Sequence, residues 1–68
     1  MKNYYATGNG GYGRAVYAFE SKKKRDDFVA WNDSFDQRRC ISRDDARRYG
    51  RTAIVLGGAD APEREVQI

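Results

Sequence analysis

The chain has 68 residues, with thirteen Lys or Arg against ten Asp or Glu, one cysteine and no histidine, for a formal net charge of +3. That length allows one small domain with a modest core, and a hydrophobic content of 40% sets it apart from a purely disordered tail. A lone Cys40 without histidine excludes an internal disulfide and a zinc site of the Cys/His type, and the longest apolar runs, Ala15 to Phe19 and Ala53 to Leu56, are too short to span a membrane.

Residues Lys2 to Thr7 read as a strand, favoured by Tyr4 and Tyr5 and ended by Gly8. Arg14 to Glu20 read as a second strand. Ala15, Tyr17 and Phe19 share one of its faces, and Val16 and Ala18 share the other. Small or apolar residues on both faces place this strand centrally in a sheet. The glycine-rich stretch between the two strands is short enough for an antiparallel hairpin.

Ser21 is placed to cap a helix that starts at Lys22 and runs through Trp31. Phe28, Trp31 and, further on, Phe35 recur at three- and four-residue spacing, which predicts one inward face. Lys22 with Asp26 and Lys23 with Asp27 stand at i,i+4, although the acid follows the base, the weaker order. Lys22, Lys23, Lys24 and Arg25 in the first turn oppose the helix dipole.

Gln37 to Ile41 read as a short strand. Ser42 then caps a second helix, with Asp44 and Asp45 at its positive end and Arg47 and Arg48 near its other end, stopped by Gly50. At about two turns this helix must be held by packing. Thr52 to Leu56 form the best later strand, and Gly57 and Gly58 stop it. Ala59 to Pro62 read as a turn, and Glu63 to Ile68 as a weak edge strand or tail.

These elements predict one α+β domain over residues 1–68, in the order β-β-α-β-α-β-β. A small antiparallel sheet packs against one main helix and one short helix. Phe28 and Trp31 are the expected anchors of the main helix, received by Tyr17, Phe19, Ile54 and Leu56. So small a core leaves apolar surface that homodimerisation would cover.

Four glycines fall between Gly8 and Gly13, and Gly8, Gly10 and Gly13 match the spacing G-x-G-x-x-G. The dinucleotide-binding version needs a helix after the loop, whereas here a strand follows. The Walker version needs Lys and a hydroxyl after its last glycine, where Arg14 and Ala15 stand. A protein-kinase hairpin would need a catalytic segment for which the chain has no room. Four glycines in a hairpin need no ligand, and Tyr12 at the tip is the best contact residue of the loop.

Gly11, Tyr12, Gly13 and Tyr17 resemble the third-strand pattern of the RNA-recognition-motif family, Lys/Arg-Gly-aromatic-Gly/Ala-aromatic-Val-x-aromatic. The passage from Glu20-Ser21 into a helix through Trp31 resembles the same family. The likeness covers residues 11 to 32. It departs at the position before Gly11, where a cation is expected, at Arg14 in place of the central aromatic, and at Ala15 in place of Val. The family's preceding strand-helix-strand is missing. What the resemblance implies is a small RNA- or single-stranded-DNA-binding module.

Nothing in the sequence calls for a catalytic centre, a cofactor or a metal. Cys40 has no histidine partner, no serine sits in a nucleophile elbow, and the acids read as caps and solvated helix surface. Charge is uneven: residues 21 to 51 hold ten basic and six acidic side chains, and residues 52 to 68 one basic and three acidic. Lys22, Lys23, Lys24 and Arg25, joined by Arg38, Arg39, Arg43, Arg47 or Arg48, are the candidate basic surface, with Tyr12 and Arg14 from the loop.

The leading expectation is a noncatalytic protein-binding module, an accessory or inhibitor protein, with nucleic acid as the alternative partner and no membrane. In size, composition and lack of catalytic motifs the chain resembles small phage-encoded accessory proteins, including anti-CRISPR proteins. That likeness is one of style, and it carries no binding residue across. The single cysteine and the absence of a signal-peptide pattern after Lys2 predict a cytoplasmic protein.

Overall fold

The computed structural model describes residues 3–10, 13–31, 34–56 and 62–68. The element order is β1 (Tyr4–Gly10), β2 (Gly13–Phe19), α1 (Lys22–Ala30), β3 (Arg39–Ile41), α2 (Arg43–Tyr49), β4 (Thr52–Val55) and β5 (Arg64–Gln67). The expected α+β class and element order are therefore observed. The expected turn over Ala59 to Pro62 falls mostly outside the described residues.

All five strands join one sheet in the order β3-β1-β2-β4-β5, so β2 is central, as its two apolar faces predict. The sheet is mixed rather than purely antiparallel. β4 lies parallel to β2, with Tyr17 opposite Ile54, and every other pairing is antiparallel. The reason is connectivity: the chain leaves β2 through α1, β3 and α2, and that long return delivers β4 in the direction of β2.

β1 runs on to Gly10 instead of ending at Gly8, because its ladder with β2 continues through Gly8–Ala15 and Asn9–Arg14 to Gly10–Gly13. Gly13 has φ 119°, where a side chain would be strained. Gly8 serves close approach. A Cβ there would lie 3.2 Å from Arg38 Cγ and 3.6 Å from the Asp36 carbonyl oxygen. Asn9 clamps the same segment: its backbone N–H donates to the Asp36 carbonyl at 2.7 Å and its side-chain amide to the Phe35 carbonyl at 2.7 Å.

Strand alternation sends the two helices to opposite faces. Val16 and Ala18 point to the face where Tyr5, Ala53 and Ala46 of α2 complete the buried core, flanked by Ile41, Val55, Val66 and Ile68. Tyr17 and Phe19 point the other way and meet Phe28 of α1, with ring centroids 4.8 and 5.1 Å apart. Phe28 is thus an anchor as expected, but Trp31 is not: it is 81% exposed. Trp31 caps α1 with φ −83° and ψ 68°, so the chain has left helical geometry and the three-residue spacing no longer turns the ring inward. Leu56, an expected acceptor, is also exposed.

Both predicted N-caps form. The Ser21 hydroxyl accepts from the Lys24 N–H and the Ser42 hydroxyl from the Asp45 N–H, each at 3.1 Å. The expected i,i+4 pairing of Lys22 with Asp26 gives way to Arg25, whose guanidinium reaches Asp26 at 3.0 Å. Gly50 ends α2 in extended geometry, φ 167°, rather than as a left-handed cap.

Candidate functional site

The basic residues do not form one surface. Lys22, Lys23 and Lys24 are exposed in the first turn of α1, at the end of the sheet away from the β1–β2 hairpin. Arg25 is drawn in among them. Only 16% of its side chain is exposed, and its guanidinium lies 5.4 Å from the centre of the Tyr4 ring. On the opposite face Arg43, Arg47 and Arg48 are exposed on α2. Arg47 donates to the carbonyl of Ile68 at 3.4 Å, and Arg48 stands 3.9 Å from Asp45. Arg25 and Arg43 meet across a cavity of about 670 Å³, where Arg25 is already committed to Asp26 and Tyr4.

The third group is at the hairpin end. Arg14, Gln37, Arg38 and Arg39 bound a cavity of about 340 Å³. Arg14 projects from β2 on the same sheet face as Val16, and Arg39 stands opposite Thr7 on β3. Arg14 is half-buried, and its Nη1 is enclosed with no hydrogen-bond acceptor among the described residues. Gln37 takes the left-handed conformation, φ 47°, as the chain turns into β3. Tyr12 lies outside the described residues.

Arg38 acts within the fold. It donates through Nη1 to the carbonyls of Phe28, at 3.1 Å, and Trp31, so it satisfies the carboxyl end of α1. Its guanidinium stacks 4.1 Å from the centre of the Phe28 ring and pairs with Asp36 at 3.6 Å. The side chain the sequence suggests as a partner contact is therefore the piece that fixes the end of α1 against the segment entering β3.

Two exposed rings escape the sequence reading: Trp31 and Phe35, 81% and 69% exposed. Their rings stand in solvent while their backbones are fixed, Trp31 by Arg38 and Phe35 by Asn9. The signal available was position. Trp31 sits directly before Asn32-Asp33, a helix-ending pair, where an inward stripe should already have stopped.

The face under α1 bears on the aromatic pattern of the hairpin. Tyr17, its terminal aromatic, is stacked on Phe28 and so is not presented on an open sheet. Among the described residues no group of three or more His, Cys, Asp or Glu could hold a metal ion, and no helix is long and apolar enough to cross a membrane. No family model matches the chain, and no curated protein or solved structure matches it either.

Proposed function

We propose that this chain is a noncatalytic protein-binding module that docks through Trp31 and Phe35, with Arg14 and Arg39 on the other face of the sheet at the same end. The observation that carries this reading is the display of two large rings in solvent on backbone held by Arg38 and Asn9. Exposing a Trp and a Phe costs hydrophobic burial, and fixing their backbone lowers the ordering cost of a complex. Trp and Arg are the side chains most often found to dominate protein interfaces. A docking surface of this kind suits an accessory or inhibitor role of the phage type. The free thiol of Cys40 supports a reducing, cytoplasmic setting.

The test is affinity capture from nuclease-treated lysate, with the wild-type chain beside a Trp31→Ala, Phe35→Ala double variant of equal thermal midpoint. The expected result is a stoichiometric protein partner retained by the wild type and lost by the double variant. Retention of nucleic acid in untreated lysate, with no protein partner surviving nuclease, would replace this reading by a nucleic-acid-binding one.

A further inference from the structure

The cavity bounded by Arg14, Gln37, Arg38 and Arg39 is lined by three arginines, two of them, Arg14 and Arg39, on the Val16 face of the sheet, and by no acid among the described residues. Asp36, the acid next to it in sequence, is already paired with Arg38 at 3.6 Å. Arg39 makes no ion pair among the described residues. Arg14 Nη1 is enclosed with no acceptor among them. An enclosed charged donor without an acceptor is unfavourable, and neighbouring like charges make it more so. Among the described residues no carboxylate pairs with Arg14 or with the exposed Arg39, so both guanidinium groups remain to receive one.

We propose that this cavity receives a side-chain carboxylate of an acidic partner protein, with Arg14 and Arg39 as its donors. Arg38 is a positioning residue, held by the α1 carbonyls, Asp36 and the Phe28 ring. The inference rests on the reading of Trp31 and Phe35 as a protein-contact surface. It adds the partner's chemistry: a Glu or Asp next to apolar side chains. Carboxylate is favoured over a nucleic-acid backbone by the layout of charge. Polynucleotide affinity grows with the number of phosphates neutralised along a track. Here the lysines of α1 lie about 9–12 Å along the helix from its cavity end at Ala30, six to eight steps of 1.5 Å. Asp26 and Asp27 interrupt the way between. A single carboxylate needs only one planar guanidinium fork, and binds it bidentately.

The experiment is titration of the full chain with an oligoglutamate peptide at a fixed ionic strength of about 0.15 M, where the Debye length is about 8 Å, read by amide chemical shifts and repeated with oligothymidylate. The expected result is saturable peptide binding that Arg14→Gln and Arg39→Gln each weaken about tenfold. A Lys22→Gln, Lys23→Gln, Lys24→Gln triple variant should change it less than about twofold, since exposed distant charges are screened. Arg39 is exposed, so Arg39→Gln keeps the test valid should Arg14→Gln fail to fold. Equal loss in the lysine variant would mean general charge attraction and overturn the site. Oligothymidylate bound more tightly, through Arg14, would overturn the carboxylate assignment, and no binding of either probe would overturn both. Oligoglutamate binding should survive Trp31→Ala, Phe35→Ala. If the peptide fails to bind while lysate capture still depends on the two rings, the cavity assignment falls and the protein-binding reading stands. If the peptide binds but no lysate partner exists, the reverse holds.

Discussion

Under α2 the sheet presents Ala18 and Ala53 to Ala46, whereas under α1 it presents Tyr17 and Phe19 to Phe28. The alanine side is closed, and Ala18, Ala46 and Ala53 are at most 2% exposed. Small side chains let a seven-residue helix lie close on the strands, and that contact holds α2 where its own length does not. The aromatic side is open. None of α1 is buried, Tyr17, Phe19 and Phe28 are each half-buried, and guanidinium groups lie over Phe28 and Tyr4. Rings rather than alanines hold α1, and the guanidinium planes of Arg25 and Arg38 cover them in part. The exposed Trp31 and Phe35 follow on from this looser side. The core and the exposed rings are thereby separated: one face supplies order, and the end of the other displays side chains.

Phe28→Ala tests the aromatic side most severely, because Tyr17, Phe19 and Arg38 all pack on this one ring. The expected loss is about 3 kcal/mol, at the low end for a Phe truncation because the ring is only half-buried. Against a total of roughly 3–10 kcal/mol for a domain of this size, that brings the chain close to unfolding. Denaturant titration measures it, and a midpoint within error of the wild type would show that α1 is not held by its rings.

Ala46→Leu tests the other side by crowding it. Ala46 is fully buried against Tyr5, Val16, Ala18 and Ala53, so extra methylenes must displace α2 or the strands, at about 2 kcal/mol. Ala30→Leu is the control on the open side. Ala30 is exposed, and the same enlargement there should move the thermal midpoint little. Equal effects at the two positions would erase the contrast between the faces.

Thr7→Val sharpens the comparison in the stabilising direction. Thr7 lies on the α2 side of the sheet at 0% exposure, opposite Val16 and Arg39, and its hydroxyl has no hydrogen-bond partner among the described residues. Replacing an unpaired buried hydroxyl by a methyl of similar shape should add about 1 kcal/mol. A drop in denaturant midpoint would mean that the hydroxyl is satisfied in solution.

What could be read from the sequence follows the range of the interaction concerned. The caps at Ser21 and Ser42 involve residues three apart, and both were legible. The central place of β2 was legible because Val16 and Ala18 on one side and Tyr17 and Phe19 on the other both demand cover. The parallel pairing of β2 with β4 was not, since it depends on how α1, β3 and α2 travel before the chain returns. In the sequence Arg38 looks like any surface cation, because its partners, the carbonyls of Phe28 and Trp31, come near only when the segment before β3 folds back past Gly8. The cavity of Arg14 and Arg39 was hidden for the same reason. Each appears in the sequence as one more Arg, and only the pairings of β1 with both β2 and β3 bring them to one end.

Trp31→Ala carries the smallest expected effect on stability, and it divides the two uses of an aromatic in this fold. Trp31 and Phe28 are three residues apart and identical in pattern, yet one ring is 81% exposed and the other half-buried against Tyr17 and Phe19. Arg38 holds Trp31 through its backbone carbonyl, which alanine retains, so the bond survives the substitution. The expected change is under about 0.5 kcal/mol, against about 3 for Phe28→Ala. Because this is the only tryptophan, its own fluorescence checks the premise: the folded wild type should emit close to free tryptophan and be quenched readily by acrylamide. A blue-shifted, poorly quenched signal together with a large stability loss would place Trp31 in a core and leave Phe35 to carry the contact surface. An unchanged midpoint with partner capture abolished is the outcome that separates display from packing.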